Sequence, residues 1–324
     1  MCQLLFVFQC IVMITCSTYY TAVCGYSAHE FAHARQSNER LCLHTDMKHT
    51  NRSPRDTLLH NNCSVYYIHN HKTGGTTMCK SAQENGFRTL PNNCNFRNVY
   101  GNFKSNIRDM RRMNANFGSL EFNSFMPILS YEKILYIMTV RDPIERLFST
   151  FHHNFKSKNS NKRHIYEKQV TQANCGETLP HVSFEDFVMN PCFERLSALN
   201  NYYLNMLTGC GLKCDKRNVQ QAVDKLELIS VIIVLDENLD RYMRYMEYKL
   251  GMCYSAQHRS GSHHSADISY RSSNETVKER LYKINALDIK FYNLLVVHAE
   301  RQLTENKEYA RFSKIYCPKN HKGT

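Results

Sequence analysis

Three short apolar runs constrain the fold of this chain more than any other feature. Residues 65–69, 134–140 and 231–235 are rich in β-branched and aromatic side chains, and each run is followed by turn residues and then by a helical pattern. Runs that are apolar at successive positions are typical of strands buried on both faces. Their alternation with helices predicts an α/β fold, in which a central parallel β-sheet is flanked by helices.

The helices that follow the second and third runs have recognisable ends. Asp142 suits a helix N-cap and Pro143 the first helical position. The next apolar residues have the spacing of one helix face, namely Ile144, Leu147, Phe148 and Phe151. After the third run a similar stripe begins at Leu239, and Gly251 is its expected end. A last helix is predicted over 276–303.

The turn after the first run is rich in glycine and threonine. It reads Lys72-Thr-Gly-Gly-Thr-Thr77 and lies where parallel sheets bind ligands, beyond the carboxyl ends of the strands. Glycines let the backbone approach an anion, and the N–H groups at the start of a helix, expected from Thr76 to Gly86, point at it. The loop of nucleotide-triphosphate-binding proteins, G-x-x-x-x-G-K-[ST], places its lysine after the glycines. Here the lysine precedes them, so the pattern indicates an anion site of another kind.

A second anion site is predicted after the second run. Arg141 ends this run, and Ser149 follows about two helical turns later. A guanidinium and a hydroxyl in this arrangement can hold a further phosphate. The alternative is that Arg141 pairs only with Asp142 or Glu145. Because a glycine-rich loop lies upstream, the sequence favours the phosphate site.

The charge balance and the N-terminal region bear on partners and compartment. The 324 residues include 41 Lys and Arg against 29 Asp and Glu, a formal charge of +12. This excess serves solubility or attracts an acidic partner such as nucleic acid, anionic lipid or acidic polysaccharide. Residues 1–28 contain no charged residue or histidine, and we expect a signal anchor or signal peptide over 1–24. Residues 25–62 are polar without an apolar period, so we expect a stem or linker.

Two further signals favour a secretory compartment. The 14 cysteines lack the C-x-x-C spacing of a structural zinc site. Cys210 and Cys214 are close enough for a local disulfide, and Cys175 could pair with Cys192. The chain also carries three glycosylation sequons, which begin at Asn51, Asn62 and Asn274.

The two anion motifs carry a resemblance to a known family. A strand followed by HKTGGTT and a helix, and then a strand followed by RDPIERLFSTF, resembles the two cofactor-binding motifs of Golgi carbohydrate sulfotransferases, above all heparan sulfate 2-O-sulfotransferase-like members. Similarity extends to VIIVLDENLDRYMRYMEYKLG, GCGLKC and FSKIYCPK, so the expected sulfotransferase domain spans 63–318. The resemblance implies a P-loop nucleotide-kinase-like three-layer fold without the metal-binding apparatus.

The resemblance also implies a cofactor and roles for the motif residues. The cofactor is 3′-phosphoadenosine 5′-phosphosulfate (PAPS), and no metal is needed. Lys72 would meet the phosphosulfate and stabilise the leaving group, while Arg141 and Ser149 would hold the 3′-phosphate. The 5′-phosphate would be held by the rest of the loop, namely Thr73, Gly74, Gly75, Thr76 and Thr77.

The general base is the point at which the resemblance is weakest. The 2-O-sulfotransferases carry an H-x-H pair before the second cofactor strand, and Asn114 and Asn116 align with it here. Because neutral asparagine is not a base, Glu121 is the best replacement in this stretch. Other histidines near the two motifs are also candidates, namely His69, His71, His152 and His153. A late loop with His263, His264 and Arg271 could close over the nucleotide.

The resemblance implies a lumenal enzyme that sulfates a hydroxyl of a glycosaminoglycan-like, acidic glycan rather than nucleic acid. Five basic residues could contact this acceptor or could simply be solvated, namely Arg108, Arg111, Arg112, Lys156 and Lys158. The expected location is the Golgi lumen, as a single-pass type II membrane protein, or outside the cell if the leader is cleaved. The alternatives are a catalytically silent glycan-binding relative and a sulfotransferase for tyrosine or a lipid headgroup. A P-loop kinase is disfavoured by the lysine order.

Overall fold

The computed structural model describes residues 26–43, 53–91, 93–96, 103–121, 133–155, 183–196, 200–254 and 274–306. Its strands are β1 Ser64–His69, β2 Phe117–Leu120, β3 Ile134–Val140 and β4 Ile229–Val234. Its α-helices are α1 Ala28–Leu43, α2 Pro54–His60, α3 Gly75–Glu84, α4 Phe103–Arg112, α5 Pro143–Phe155, α6 Phe184–Met189, α7 Tyr202–Thr208, α8 Lys216–Leu226, α9 Leu239–Leu250, α10 Glu275–Ile284 and α11 Ala286–Glu305. The short 3₁₀-helix Pro191–Arg195 follows α6.

The four strands form one parallel sheet in the order β2-β1-β3-β4. Every residue of β3 and β4 is buried, as expected for strands covered on both faces. This confirms the predicted α/β fold with a central parallel sheet flanked by helices, and the three predicted strands. The sequence missed β2, because four residues that include a glycine and a serine give almost no β signal.

The order of the strands places a crevice between β1 and β3. From β1 the chain passes to β2 on one side, and then returns to β3 on the other side of β1. Such a reversal separates the two connections that leave the carboxyl ends of β1 and β3, and ligands of open α/β sheets bind there. Both predicted anion motifs follow these two strands.

The helix ends confirm two predictions and correct a third. The Asp142 Oδ1 atom accepts hydrogen bonds from the backbone N–H groups of Ile144 and Glu145, so α5 begins at Pro143 as predicted. Helix α9 ends at Gly251, which has a φ of 63°. The single helix predicted over 276–303 is instead two helices, α10 and α11, that meet at Asn285. The Asn285 side chain donates to a backbone carbonyl of the preceding turn, a contact that competes with regular helix geometry.

The stem expected over 25–62 is helical and packed in its described parts. Phe31 of α1 and Leu58 of α2 are buried in the main core, and a disulfide joins Cys42 to Cys63 at the start of β1. These residues therefore belong to the folded domain, which corrects the expectation of a flexible linker. The predicted leader over 1–24 lies outside the described residues. Within the described ranges, no helix is both long and apolar enough to cross a bilayer.

Two further disulfides lie in the described residues. The predicted Cys210–Cys214 bond is present, and Cys79 of α3 is joined to Cys94. The pairing of Cys175 with Cys192 stays a prediction, because Cys175 lies outside the described residues. The Cys79–Cys94 bond joins α3 to the segment that precedes α4. This segment lies at the edge of the sheet formed by β2.

Replacing Cys42 and Cys63 together by serine is expected to lower the free energy of unfolding by about 3 kcal/mol, as for loops of this length in the chain-entropy treatment. The bond closes a loop with a sequence separation of 21. Replacing Cys210 and Cys214, with a separation of 4, is the matched control and should cost about 2 kcal/mol. Urea unfolding of the full chain measures both. An equal or larger loss in the control would contradict this dependence on loop length.

Candidate functional site

The loop after β1 forms the start of a helix that can bind an anion. Helix α3 begins at Gly75, one residue before its predicted start. Gly74 caps it in the left-handed conformation, with a φ of 81° and no side-chain cap. Within the described residues, no hydrogen bond engages the backbone N–H groups of Gly75, Thr76 and Thr77, which point out of the first turn. This geometry is what the sequence predicted for an anion site.

Position 75 has room only for glycine, because its backbone lies directly against the His69 ring. A Cβ atom at Gly75 would lie 1.9 to 2.4 Å from three atoms of the His69 ring. The ring is buried, stacks on Tyr67 at 5.3 Å between ring centroids, and cannot give way easily. The first turn of α3 thus rests directly on the last residue of β1.

Thr73 has a different role from the predicted one. Its hydroxyl donates to the Asn70 carbonyl at 2.5 Å and lies 2.8 Å from the Thr139 hydroxyl. Its backbone N–H also donates to the Asn70 carbonyl, and the residue is fully buried. Thr73 therefore fixes the loop to β3 and has no donor directed at a phosphate, which corrects its assignment to the 5′-phosphate. Thr76 and Thr77 remain accessible.

Arg141 lies at the strand end next to the first loop and pairs with Glu145, which was the alternative to a phosphate site. Because His69 and Thr139 are register partners on β1 and β3, Arg141 follows the neighbouring strand end. Its Nε atom lies 3.1 Å from Glu145 Oε2, and its side chain is 9% exposed. Ser149 is half-buried one turn beyond Glu145, on the same face of α5. The ion pair of the alternative hypothesis is therefore present, and its partner Glu145 lies on the same face of α5 as Ser149.

Glu121 lies at the carboxyl end of β2, within a cluster of polar groups. Its Oε1 atom is 2.9 Å from His71 Nδ1, and its Oε2 atom accepts a hydrogen bond from the Asn95 side chain at 2.9 Å. His69 Nδ1 lies 3.8 Å from Oε2. Burial opposes ionisation of Glu121, but the hydrogen bond from His71, the two imidazoles and the Asn95 amide outweigh it, so its pKa is lowered. The predicted base is thus an ionised carboxylate held by its neighbours.

Asn114 and Asn116 lie at the amino end of β2, at the opposite edge of the sheet from the loop after β1. Phe117, the first residue of β2, is the register partner of Val65, so both asparagines precede the strand at its amino end. Asn116 accepts a hydrogen bond from the Arg88 backbone, and Asn114 lies in a turn with a φ of 51°. Both residues are structural, and Glu121 is the described residue at the carboxyl end of this strand.

The other candidates fall into three groups. Arg111 and Arg112 end α4 and precede β2, and Arg108 lies one turn earlier, so the two terminal arginines lie near the amino edge of the sheet, away from the loop. His153 of α5 packs edge-on against His71 at 5.7 Å between ring centroids, whereas His152 packs on two phenylalanines. The remaining candidates lie outside the described residues, namely Lys156, Lys158, His263, His264 and Arg271.

Two tyrosines near the site, and the residues that hold them, were not predicted from the sequence. The Tyr203 hydroxyl donates to the Arg141 carbonyl at 2.6 Å and accepts from the Arg141 N–H at 3.0 Å. The Arg146 guanidinium lies 3.9 Å from the centroid of the Tyr202 ring. The buried Asp288 carboxylate accepts from the N–H groups of Tyr203 and Leu204, which fixes the start of α7. No local sequence signal marks these contacts, because they join positions 55 or more residues apart.

Lowering the pH is expected to destabilise the fold through His69. Burial lowers the pKa of His69 to about 4, against about 6.5 in an unfolded chain. The unfolded state therefore binds more protons between these values, and stability falls as the pH falls through this window. His69→Asn should reduce the loss of unfolding free energy between pH 7 and pH 5 by about 2 kcal/mol. Urea unfolding at both pH values measures this, and an unchanged loss would contradict it.

Comparison with models of known protein families identifies the family of this chain. A family model described as the Sulfotransferase family matches residues 55–294, about three quarters of the chain. The matched range includes the loop after β1, Glu121, Arg141 and both tyrosines. No curated protein shows significant similarity to the chain.

Proposed function

Because this chain belongs to the sulfotransferase family, whose members generally use PAPS, we propose that it transfers the sulfuryl group of PAPS to a hydroxyl of an acidic, glycosaminoglycan-like glycan. The observation that carries the proposal is the crevice between β1 and β3. Lys72 and Arg141 follow these two adjacent strands, so one crevice has two cationic sites. A nucleotide with both a 5′-phosphosulfate and a 3′-phosphate needs two such sites.

The residues of the crevice fit this nucleotide. The N–H groups at the start of α3 and the hydroxyls of Thr76 and Thr77 would hold the 5′-phosphate. Arg141 and Ser149 would hold the 3′-phosphate. When bound, PAPS supplies the sulfuryl group: the acceptor oxygen bonds to sulfur, the bond from sulfur to the 5′-phosphate oxygen breaks with its electron pair, and one proton leaves. Lys72 stabilises the negative charge that develops on the leaving phosphate.

The proposed location is the Golgi lumen, with the N-terminal segment as a membrane anchor, or outside the cell if that segment is removed. Three disulfides in the described residues support an oxidising compartment. The sequon residues Asn62 and Asn274 are exposed. Treatment of the protein from secreting cells with an N-glycosidase should increase its gel mobility. Unchanged mobility together with free thiols would contradict this location.

Binding of the product nucleotide tests the two-site crevice. Adenosine 3′,5′-bisphosphate should bind the full chain at least tenfold more tightly than adenosine 5′-monophosphate in isothermal titration calorimetry, because Arg141 and Ser149 meet the extra phosphate. Ser149→Ala should weaken this preference, and Arg141→Leu should remove it. Equal affinity of the wild type for both nucleotides would contradict the proposed cofactor site.

Turnover with a panel of desulfated polysaccharides tests the reaction itself. Wild-type protein should release adenosine 3′,5′-bisphosphate from PAPS only when an acceptor is present. The alternative, a silent glycan-binding relative, was motivated by the asparagines at positions 114 and 116, and the ionised Glu121 beside His71 supports an active enzyme instead. Salt-sensitive heparin binding with no turnover on any acceptor would favour the alternative.

A further inference from the structure

We propose that His71 is the general base that takes the proton from the acceptor hydroxyl, and that Glu121 is its positioning residue. This inference rests on the proposed sulfotransferase function. It assigns different roles to two residues that the sequence offered only as separate candidates. The evidence is the hydrogen-bonded pair that the two residues form at the carboxyl ends of β1 and β2, where His71 directly precedes Lys72.

The two side chains form a hydrogen-bonded pair with a fixed backbone. His71 Nδ1 lies 2.9 Å from Glu121 Oε1, and both side chains are 15% exposed. The Tyr202 hydroxyl accepts from the His71 backbone N–H at 2.8 Å and donates to the Glu121 backbone carbonyl at 3.3 Å. The Arg146 guanidinium packs on the Tyr202 ring. A residue from α7 thus holds the end of β1 against the end of β2.

The hydrogen bond determines the tautomer of the imidazole. An ionised carboxylate can only accept hydrogen bonds, and the pKa of Glu121 is lowered despite its burial. His71 Nδ1 must therefore carry the proton, so the lone pair of the neutral ring is on Nε2. This is the nitrogen that can take a proton from an acceptor hydroxyl.

The environment makes His71 a better base than Glu121. Both Glu121 oxygens already accept hydrogen bonds, from His71 and from Asn95, and its lowered pKa makes the carboxylate a weak base. Burial lowers the pKa of His71, while the Glu121 hydrogen bond and charge raise it. The imidazole is therefore neutral at pH 7, and the lone pair on Nε2 can accept a proton, as a general base requires.

Charged and titratable groups approach His71 from every element around it. Glu121 from β2 favours the imidazolium, whereas Lys72 in the loop and Arg146 on α5 oppose it. His69 at the end of β1 is neutral at pH 7 because burial lowers its pKa to about 4, and His153 on α5 packs against the His71 ring. In the transfer step the acceptor oxygen bonds to sulfur, its proton moves to His71 Nε2, and Glu121 stabilises the imidazolium until the proton passes to water.

The first test needs no turnover. Nitrogen-15 NMR of the histidine-labelled full chain at pH 7 should show His71 as the Nδ1–H tautomer, assigned by its loss in His71→Ala. In Glu121→Gln the pKa of this ring should fall, because a negative charge is removed. An Nε2–H tautomer in the wild type, or an unchanged pKa in Glu121→Gln, would overturn the pairing whatever the protein catalyses.

The second test separates the two candidate bases by their pH profiles. His71→Ala should lower kcat for sulfuryl transfer by at least about a hundredfold, remove the acidic limb of the kcat/KM profile, and recover activity with added imidazole. Glu121→Gln should keep the limb and move it to lower pH. If Glu121 were the base, Glu121→Gln would lose the limb and His71→Ala would move it to higher pH, because the His71 hydrogen bond lowers the Glu121 pKa.

Controls distinguish a failure of this inference from a failure of the proposed function. His60→Ala, an exposed position on α2, should leave kcat and the profile unchanged. Unchanged binding of adenosine 3′,5′-bisphosphate by His71→Ala would show that the cofactor site is intact. An active wild type whose His71→Ala variant keeps its rate and acidic limb overturns the inference alone. A wild type with no turnover on any acceptor overturns the sulfotransferase proposal and the assignment of the base with it.

Discussion

Lys72→Ala is expected to lower kcat for sulfuryl transfer by about a thousandfold, at the upper end of the losses seen when one group that stabilises a transition state is removed. The ammonium is proposed to meet charge that develops only as the sulfur–oxygen bond breaks, so kcat should fall far more than the affinity for adenosine 3′,5′-bisphosphate. Rates with a desulfated polysaccharide acceptor and calorimetric nucleotide binding measure the two quantities. Full activity in this variant would contradict the proposed mechanism.

The backbone at Lys72 offers a matched control. Its φ of 68° lies in the left-handed region that only glycine adopts without strain. Lys72→Gly should therefore lose the same activity as Lys72→Ala while its free energy of unfolding exceeds that of Lys72→Ala by about 1 kcal/mol. A lysine kept at this strained position is consistent with a functional constraint. If both variants lost activity and also lost the same amount of unfolding free energy, a structural role of Lys72 would explain the loss of activity instead.

The parts of the fold that could be predicted from the sequence are those with a local physical cause. Buried strands such as β3 are continuous apolar runs, and the ends of α5 and α9 follow from Asp142, Pro143 and Gly251 at fixed offsets. The anion loops were also predictable, because each lies directly after a strand and parallel strands end at one edge of the sheet. Strand β2 is too short to carry a pattern, and its position comes from pairing with β1.

The details of the site depend on contacts between distant positions and were not predictable. Thr73 resembles a phosphate ligand in the sequence, yet its hydroxyl reaches Thr139 on β3. The distance of Asn114 and Asn116 from Glu121 was also hidden in the sequence, because the unrecognised strand β2 lies between them. Only the register of β2 shows that Glu121 meets His71. A sequence pattern thus located the crevice, and tertiary packing decided which side chains face it.

Gly75→Ala is expected to disrupt the cofactor site, because the new methyl group would overlap the His69 ring. The clash distances are 1.9 to 2.4 Å, and the ring is held by its stack on Tyr67 and its approach to Glu121. Overpacking of this kind costs about 1 to 3 kcal/mol, and relief by movement of α3 would displace the N–H groups of its first turn. We expect affinity for adenosine 3′,5′-bisphosphate to fall at least tenfold, with transfer falling about a hundredfold for a displacement of about 1 Å.

A second-site change shows whether the overlap is the cause. His69→Ala removes the ring that the Gly75→Ala methyl group would meet, so the double variant should bind the nucleotide more tightly than Gly75→Ala alone. The two losses of unfolding free energy should also be less than additive, as expected for residues in direct contact. Calorimetry and urea unfolding of the four proteins in this cycle give both quantities. Additive losses would contradict direct overlap as the cause, whereas rescue by His69→Ala would show that the end of β1 sets the position of the phosphate-binding turn.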